Sequence, residues 1–221
     1  MEKEPSGGTK AVGGAPLLKD VAYQVIKENI LEEHFAPGRF LSERELIEFL
    51  QMSKTPIKNA LVRLETEGFV TVFSKQGIII NDLTIDRITD IYDLRTALET
   101  YICTEIAGKM TEAHCELIEN NLRKTEEKVK ELDGKGFAEL DHEFHRLLCE
   151  CSGNQEIYRV LLNYQDHLLR ITLRHLKKDP HRMQQFYQEH VGIYSHLKHG
   201  DPRSAELMRA HLQQSKQKLF L

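Results

Sequence analysis

The stretch from residue 41 to residue 70 constrains the fold of this chain more than any other part of its sequence. Its pattern predicts two short helices, joined by a tight turn and followed directly by a strand. Ser42 is a favourable N-cap for the first helix, and Glu45, three residues later, completes a capping box. Ser53 and Thr55 are alternative caps for the second helix. Together these signals predict a helix-turn-helix.

The second of these helices is predicted to expose a cationic face. Its apolar residues recur at helical spacing, and they are Ile57, Ala60, Leu61 and Leu64. The residues on the opposite face are Lys54, Lys58, Asn59 and Arg63. No acidic residue occurs between positions 53 and 64, although the whole chain has 34 acidic and 30 basic residues. Because that acidic excess gives the chain no general affinity for nucleic acid, DNA binding has to depend on a local patch such as this one.

A strand and a hairpin follow the two helices. Gly68 ends the second helix, and residues 68 to 73 alternate in the manner of a strand. A turn with Lys75 at its tip then leads through Gly77 to a second strand over residues 78 to 80. This order of elements predicts a winged helix, whose wing brings Lys75 and the backbone at Gly77 near the minor groove or the phosphates. The alternative is an ordinary two-helix turn with a solvated basic face, since such patterns recur by chance.

Specific residues in this region carry a family resemblance. They are Pro37-Gly38, the run LSEREL over residues 41–46, the run SKTPIKNAL over residues 53–61, Arg63-Leu64-Glu65, Glu67-Gly68, Val70 and Gly77. This set resembles the DNA-binding domain of the GntR family of bacterial transcription regulators, although the chain has Lys54 and Lys58 where that family commonly has arginine. The DNA-binding residues expected from the pattern and the resemblance are Arg44, Ser53, Lys54, Thr55, Lys58, Asn59, Lys75 and Gly77.

The rest of the chain shows only helical signals, and its composition changes near residue 82. We expect a disordered tail over residues 1–16, a winged helix-turn-helix domain over residues 17–82, and an all-helical effector-binding domain over residues 83–221. The fold class is therefore mainly α, with an N-terminal α+β winged helix and an antiparallel bundle of about six helices. The six predicted helices span residues 84–110, 111–132, 137–151, 156–178, 180–199 and 203–219.

Overall composition is that of a globular protein inside the cell. The sequence is 40% apolar and 29% charged, and no apolar run approaches the length of a membrane span. Its four cysteines form no CxxC pair and are expected to be reduced thiols, and the alternative is a redox pair of Cys149 and Cys151. With no apolar signal-peptide core at the N-terminus, these features predict a cytoplasmic protein without a membrane partner.

One carboxylate and three imidazoles in the predicted bundle form a candidate metal site. Asp141 and His145 are four residues apart, so both project from one face of a helix. His190 and His211 lie mid-way along two later helices, beside apolar residues that face the core. Such a set suits one divalent zinc, nickel, iron or manganese ion per chain. The alternative is that these are hydrogen-bonded or surface histidines, because the chain has 11 histidines in all.

A second resemblance covers the helical part of the chain. It is carried by Arg95 with Glu99, Asp141 with Phe144-His145, Ser152-Gly153-Asn154, Glu189-His190, Gly200-Asp201 with Ala205, and Met208 with His211-Leu212. These residues resemble the FCD ligand-binding domain of the FadR-type subgroup of the GntR family. The resemblance implies that Asp141, His145, His190 and His211 bind the metal, that a small organic acid binds beside it, and that the protein is a homodimer on a palindromic operator.

Arg95 is our candidate for binding the carboxylate of that effector, and the alternative is a surface ion pair with Glu99, four residues on. The function expected from both resemblances is a transcription regulator, a repressor controlled by a small carboxylic acid, and not an enzyme. Two alternatives are a metal-responsive regulator and a metal-dependent hydrolase or lyase with the same ligands.

Overall fold

The computed structural model describes residues 16–218, which form two compact units divided between Asp82 and Leu83. The expected disordered tail, except for Pro16, lies outside the described residues, as does the predicted end of the last helix at residue 219. No helix within residues 16–218 is long and apolar enough to cross a membrane.

The first unit is a winged helix, as the sequence predicts. Its elements are α1 (Leu18–Leu31), β1 (Phe40–Ser42), α2 (Glu43–Leu50), α3 (Lys54–Thr66), β2 (Val70–Phe73) and β3 (Gly77–Ile80). The strands form an antiparallel sheet in the order β1-β3-β2. Strand β1 was not predicted, because three residues are too few to show an alternating pattern. It extends the wing by pairing Leu41 with Ile78.

The core of this unit forms where α1 packs against α3. The four apolar residues that the sequence places on the inner face of α3 are all buried. Helix α1 ends at Leu31, and its buried stripe runs through Ala22, Ile26 and Ile30. Leu18, in the first turn, is exposed. The helix therefore supports α3 along this buried stripe.

Two local features of the first unit follow directly from residue chemistry. The capping box is present, since the Ser42 hydroxyl accepts a hydrogen bond from Glu45 N and Ser42 N donates to Glu45 Oε2. Gly77 lies where a Cβ atom would be 2.2 Å from the Leu41 carbonyl oxygen, at φ +154°. Only glycine allows β3 to approach β1 this closely.

The second unit contains seven helices among its described residues. They are α4 (Ile85–Ile106), α5 (Glu112–Glu131), α6 (Gly134–Ser152), α7 (Gln155–Leu162), α8 (Gln165–Lys178), α9 (Arg182–Lys198) and α10 (Arg203–Lys218). Helix α4 packs against α10 and α6, while α5 packs against α6 and α9. The core that these helices share includes Ile102, Phe144, Ile193 and Met208.

The predicted single helix over residues 156–178 is in fact two helices. Tyr164 N bonds the Leu161 carbonyl, so the end of α7 tightens to three-residue bonding, and α8 starts at Gln165. Apolar residues continue at helical spacing across the break, and for that reason periodicity does not reveal it. Helix α6 also starts three residues early, because Asp133 accepts a hydrogen bond from Gly136 N and caps the glycine-rich segment.

The C-terminal ends of α4 and α9 meet at two glycines. Gly108 N donates to the Leu197 carbonyl at 2.9 Å. A Cβ atom on Gly108 would lie 3.1 Å from the Cα atom of Gly200, and both glycines have φ near +69°. The two helix ends are therefore in backbone contact, with no side chain between them.

Candidate DNA-binding surface and metal centre

The recognition helix α3 exposes most of the side chains that the sequence assigns to DNA. Lys54, Thr55, Lys58 and Asn59 are all exposed. Lys54 Nζ lies 2.5 Å from Oε1 of Glu43 on the preceding helix, whereas Lys58 makes no ion pair with any described residue. The exposed face of α3 therefore carries positive charge that is only partly neutralised within the unit.

The start of the recognition helix leaves backbone donors available. Ser53 occupies the N-cap position and is exposed, but its side chain makes no capping hydrogen bond. Thr55 lies inside the first turn, so it is not the cap. The uncapped N–H groups of this turn, together with the helix dipole, suit a phosphate oxygen. The sequence predicted a cap here, and the open helix end is a feature that it did not predict.

The other residues assigned to DNA differ in their surroundings. Arg44 is exposed and its Nε lies 2.7 Å from Oε1 of Glu48. Lys75 is exposed at the hairpin tip, with φ +63°. Gly77, in contrast, is buried against Leu41, so we correct its assignment from DNA contact to packing of the wing. Lys75 is thus the residue that presents charge from the wing.

Arg63 belongs to the packing of the domain rather than to the cationic face. Its guanidinium carbon lies 3.6 Å from the ring centroid of Tyr23, and its Nε donates to Oε1 of Glu67 at 3.0 Å. The Tyr23 hydroxyl also donates to Glu67, at 2.7 Å. This arrangement ties α1 to the C-terminal end of α3.

Three of the four predicted metal ligands converge in the second unit. The ligand nitrogen atoms of His145, His190 and His211 lie within 4.8 Å of one another, and all three residues are buried. His190 Nε2 and His211 Nε2 are 3.3 Å apart. Asp141, the fourth, is buried with its Oδ1 3.6 Å from His190 Nε2. Helices α6, α9 and α10 together bring the whole predicted set into one place.

Two carboxylates orient these imidazoles, and the sequence did not assign them that role. His145 Nδ1 donates to Glu99 Oε2 at 2.5 Å, and His211 Nδ1 donates to Glu189 Oε2 at 2.6 Å. Because each Nδ1 then carries the proton, the Nε2 lone pair of each histidine is available to a metal. The position of Glu99 on the buried stripe of α4 could have indicated this role from the sequence. No such pattern indicates it for Glu189.

His190 is fixed by packing instead of by a carboxylate. Its ring stacks on Phe144, with centroids 4.1 Å apart and planes 13° apart. Burial, followed by the charges of neighbouring histidines and Arg95, holds its pKa well below the usual value. Burial likewise lowers the pKa of His145. Both imidazoles are therefore neutral, which is the form that binds metal.

The residues present fit a divalent metal. His145 Nε2 and Asp141 Oδ1 are both buried and have no hydrogen-bond partner. Unpaired buried donors and acceptors are costly, and here they meet beside the Nε2 atoms of His190 and His211. Three imidazoles, one carboxylate and outer carboxylates are the surroundings that zinc, nickel, iron and manganese sites use.

Arg95 does pair with Glu99, but the pair is buried and not at the surface. Arg95 Nε donates to Glu99 Oε1 at 2.6 Å, and each side chain is 4% exposed. Burial alone would raise the pKa of Glu99, but the charge of Arg95 and the contact with His145 outweigh it and hold the pKa far below its usual value. Arg95 Nη2 is buried without a hydrogen-bond partner.

A cavity of about 380 Å³ lies beside this centre, between α6, α7 and α8. Its lining includes Glu99 and His145 from the site, and Tyr158 and Leu168 from α7 and α8. The charged residues in its wall are three glutamates and one arginine, namely Glu99, Glu139, Glu143 and Arg146. The cavity is thus large enough for a small molecule but has an acidic wall.

Comparisons with known proteins agree with this architecture. Residues 18–80 match the family described as "Bacterial regulatory proteins, gntR family", and residues 90–214 match the FCD domain. The chain is 26% identical over 196 residues to the "HTH-type transcriptional repressor RspR" of Escherichia coli K12, covering 87% of this chain and 84% of that protein.

Solved structures show the same fold. A transcriptional regulator from Rhodococcus sp. RHA1 superposes with a TM-score of 0.76 at 19% identity, covering 91% of this chain and 97% of that one. Escherichia coli McbR/YncC superposes with a TM-score of 0.70 at 18% identity, covering 93% and 96%. The two family matches lie in the order and at the positions of the two units. The chain therefore belongs to the GntR family of bacterial regulatory proteins, with an FCD domain after its DNA-binding domain.

Proposed function

We propose that this DNA-binding transcription regulator is a repressor whose operator affinity is set by a small carboxylic acid bound beside a divalent metal. The single observation that carries the metal and effector part is the convergence of the buried ligand atoms of His145, His190 and His211 on Asp141. Repression is supported by the similarity to RspR, which is named a repressor. The relatives are regulators, so a hydrolase or lyase is not proposed.

DNA binding by the winged helix is supported by the exposed cationic face of α3. Lys58 has no ion pair with a described residue, and Lys54 and the open first turn lie at the same helix end. A DNA phosphate can accept hydrogen bonds from the backbone N–H groups of this first turn, while Lys58 and Asn59 face the base edges of the major groove. Lys75, at the tip of the wing, would contact the neighbouring sugar-phosphate backbone of the DNA.

The proposed metal would be held by Asp141, His145, His190 and His211. When bound, it would supply a Lewis-acidic position for one carboxylate oxygen of the effector. Arg95 contributes a second contact, because its Nη2 is buried and has no partner while Nε is occupied by Glu99. The guanidinium can therefore donate to the effector without releasing Glu99.

We propose that two copies of the chain bind one palindromic operator in the cytoplasm. One recognition helix contacts too few base pairs for operator specificity, and a two-fold dimer matches two half-sites at fixed spacing. Effector binding contacts α4 through Arg95 and helices α6, α9 and α10 through the metal ligands. A coupling free energy of about 1–3 kcal/mol between effector and operator is the usual scale for such linkage.

The test of DNA binding starts with the wild-type protein selecting a preferred duplex from a random pool. Fluorescence anisotropy on that duplex then compares Lys58→Ala with Lys124→Ala, an exposed lysine on α5. We expect Lys58→Ala to lose at least about tenfold in affinity, and Lys124→Ala to bind like the wild type. Equal binding by both variants would reject the proposed surface.

The test of the effector uses the same duplex with metal-loaded and chelated protein. A panel of mono-, di- and tricarboxylates is titrated against each form. We expect an acid to change operator affinity only when metal is present. If metal alone changes the affinity and no acid does, the protein is a metal-responsive regulator. If neither does, effector control by this site is rejected.

A further inference from the structure

The interior of the second unit contains a positive charge that the proposed metal site does not use. Among the described residues, the buried arginines and carboxylates are Arg95, Arg170, Arg182, Glu99 and Asp141. Glu99 pairs with Arg95, and Asp141 is assigned to the metal.

Arg182 forms no ion pair with a described residue, and the carboxylates of Asp179 and Glu189 act on its charge only from beyond ion-pair distance. It is 7% exposed, and its Nη1 contacts His175 Nδ1 at 2.5 Å. Its Nε and Nη2 are buried without a hydrogen-bond partner, and no carboxylate of a described residue lies within ion-pair distance. Burial, followed by the charge of Arg182 itself, lowers the pKa of His175 to about 3, so this neighbour is neutral.

A buried guanidinium with unpaired N–H groups and no ion pair is energetically unfavourable. A buried charge without a counter-charge destabilises the fold, and the group cannot lose its proton because arginine remains protonated in proteins. An apolar residue at position 182 would pack against Phe186, whose ring centroid lies 4.9 Å from the Arg182 guanidinium. An anion that enters during function would explain why the position is charged.

Two aromatic rings link Arg182 to the metal ligand His211 and to Arg95. The ring of Phe186, against which it packs, is 5.8 Å from the ring of His211. On the other side, the Arg95 guanidinium lies 5.5 Å from the ring of Tyr92, and the charges of Arg95 and Arg182 both act on the Tyr92 hydroxyl. Each arginine therefore has one aromatic ring in common with its neighbours at the metal centre, Phe186 for Arg182 and His211, and Tyr92 for the two arginines.

We infer that Arg182 binds a second anionic group of the effector, which is therefore a di- or tricarboxylate. This inference rests on the proposed function, in which the first carboxylate binds the metal and Arg95. The second carboxylate would accept hydrogen bonds from Arg182 Nε and Nη2, the two donors that lack partners. His175 positions the guanidinium through Nη1.

The cavity between α6, α7 and α8 is not where we place this second group. Three glutamates line that cavity against one arginine, and neither Arg95 nor Arg182 is part of its wall. A second carboxylate placed there would be repelled by Glu139 and Glu143. The buried guanidinium groups are therefore the better partners for a polyanion.

The experiment compares acids that differ only by a second carboxylate. Isothermal titration calorimetry on the metal-loaded full chain measures succinate against butyrate, glutarate against pentanoate, and tricarballylate as the triacid. We expect at least one diacid or triacid to bind about 10-fold to 100-fold more tightly than its matched monoacid, the range expected for a charge-assisted pair. Equal affinities within every pair would overturn the inference.

Variants then assign the difference to Arg182. In Arg182→Met, the ratio of diacid to monoacid affinity should fall toward one, and in Arg182→Lys it should be partly restored. Arg209→Met, an exposed arginine on α10, should leave the ratio unchanged. An unchanged ratio in Arg182→Met would overturn the inference.

A readout without ligand shows whether the variant folds and whether the charge is unpaired. Arg182→Met should melt at the wild-type temperature or higher in chelated, acid-free buffer, because it removes a desolvated charge. A large drop in melting temperature would show that Arg182 is paired within the fold, and would also count against the inference. If no acid of either class binds the metal-loaded wild type, the proposed function itself fails.

Discussion

His211 Nδ1 donates a hydrogen bond to Glu189 Oε2 at 2.6 Å. A carboxylate outside the predicted ligand set therefore orients one of the proposed metal ligands. Glu189 also accepts a hydrogen bond from Gln185, one turn earlier on the same helix, at 2.7 Å. The side chain that aims His211 is thus itself held in place. Metal affinity should therefore depend on Glu189 although Glu189 is not a ligand.

Glu189→Gln should weaken metal binding by about 10-fold to 100-fold, because the His211 Nδ1 proton loses its charged acceptor. Competition with a chromophoric chelator measures this affinity. The control is Glu206→Gln, an exposed glutamate on the helix that carries His211. Equal metal affinities of the two variants would show that Glu189 does not support the metal site.

Glu99→Gln should lower the unfolding free energy of the second unit by about 3–5 kcal/mol, because it leaves Arg95 buried without its counter-charge. Adding Arg95→Met to that variant should recover part of the loss. Urea unfolding in chelated buffer, followed by circular dichroism, measures both. The control is Glu105→Gln, exposed on the same helix. A double variant less stable than Glu99→Gln would contradict the prediction.

Gly77→Ala should destabilise the winged helix by about 2 kcal/mol or more, because its Cβ would collide with the Leu41 carbonyl. Gly38→Ala is the matched comparison, since that glycine also has positive φ, +76°, but open space around it. Its expected cost is about 1 kcal/mol, from backbone strain alone. Thermal unfolding and operator binding are measured for both variants. Equal losses of stability in Gly77→Ala and Gly38→Ala would show that the contact with the Leu41 carbonyl does not cause the destabilisation.

His175→Gln should reduce the loss of stability on acidification. Burial lowers the pKa of His175 to about 3 in the folded protein, below the ordinary value of 6.5. The unfolded chain therefore binds more protons between these values, and stability falls as pH falls from about 6.5 toward 3. Between pH 7 and pH 5 the variant should lose up to about 2 kcal/mol less than the wild type. His199→Gln, exposed at the end of α9, should follow the wild type.

The sequence predicted the elements whose pattern is periodic or whose residues are chemically distinctive. The capping box at Ser42, the inner face of α3 and the separate winged helix all follow from local rules. The set of Asp141 and three histidines came from spacing and resemblance, and the structure brings those residues together. These features can be predicted because each depends on residue types at a fixed spacing in the sequence.

What the sequence did not predict depends on contacts between distant segments or on local backbone bonding that leaves the pattern of apolar residues unchanged. Arg95 and Glu99 lie on the buried stripe of α4, but a charged pair is normally assigned to the surface unless its partner His145 is known. The break after Leu162 arises from tightened backbone bonding, which leaves the apolar spacing intact. Strand β1 exists only because β3 returns beside it.

The contact between Gly108 and Gly200 has a mechanical consequence. Because the ends of α4 and α9 meet backbone to backbone, neither end can slide past the other without breaking the bond from Gly108 N to the Leu197 carbonyl. Arg95 is carried by one of these helices and His190 by the other. A Cβ atom added at either glycine would press on the other backbone, and would shift the helix that carries Arg95 relative to the helix that carries His190.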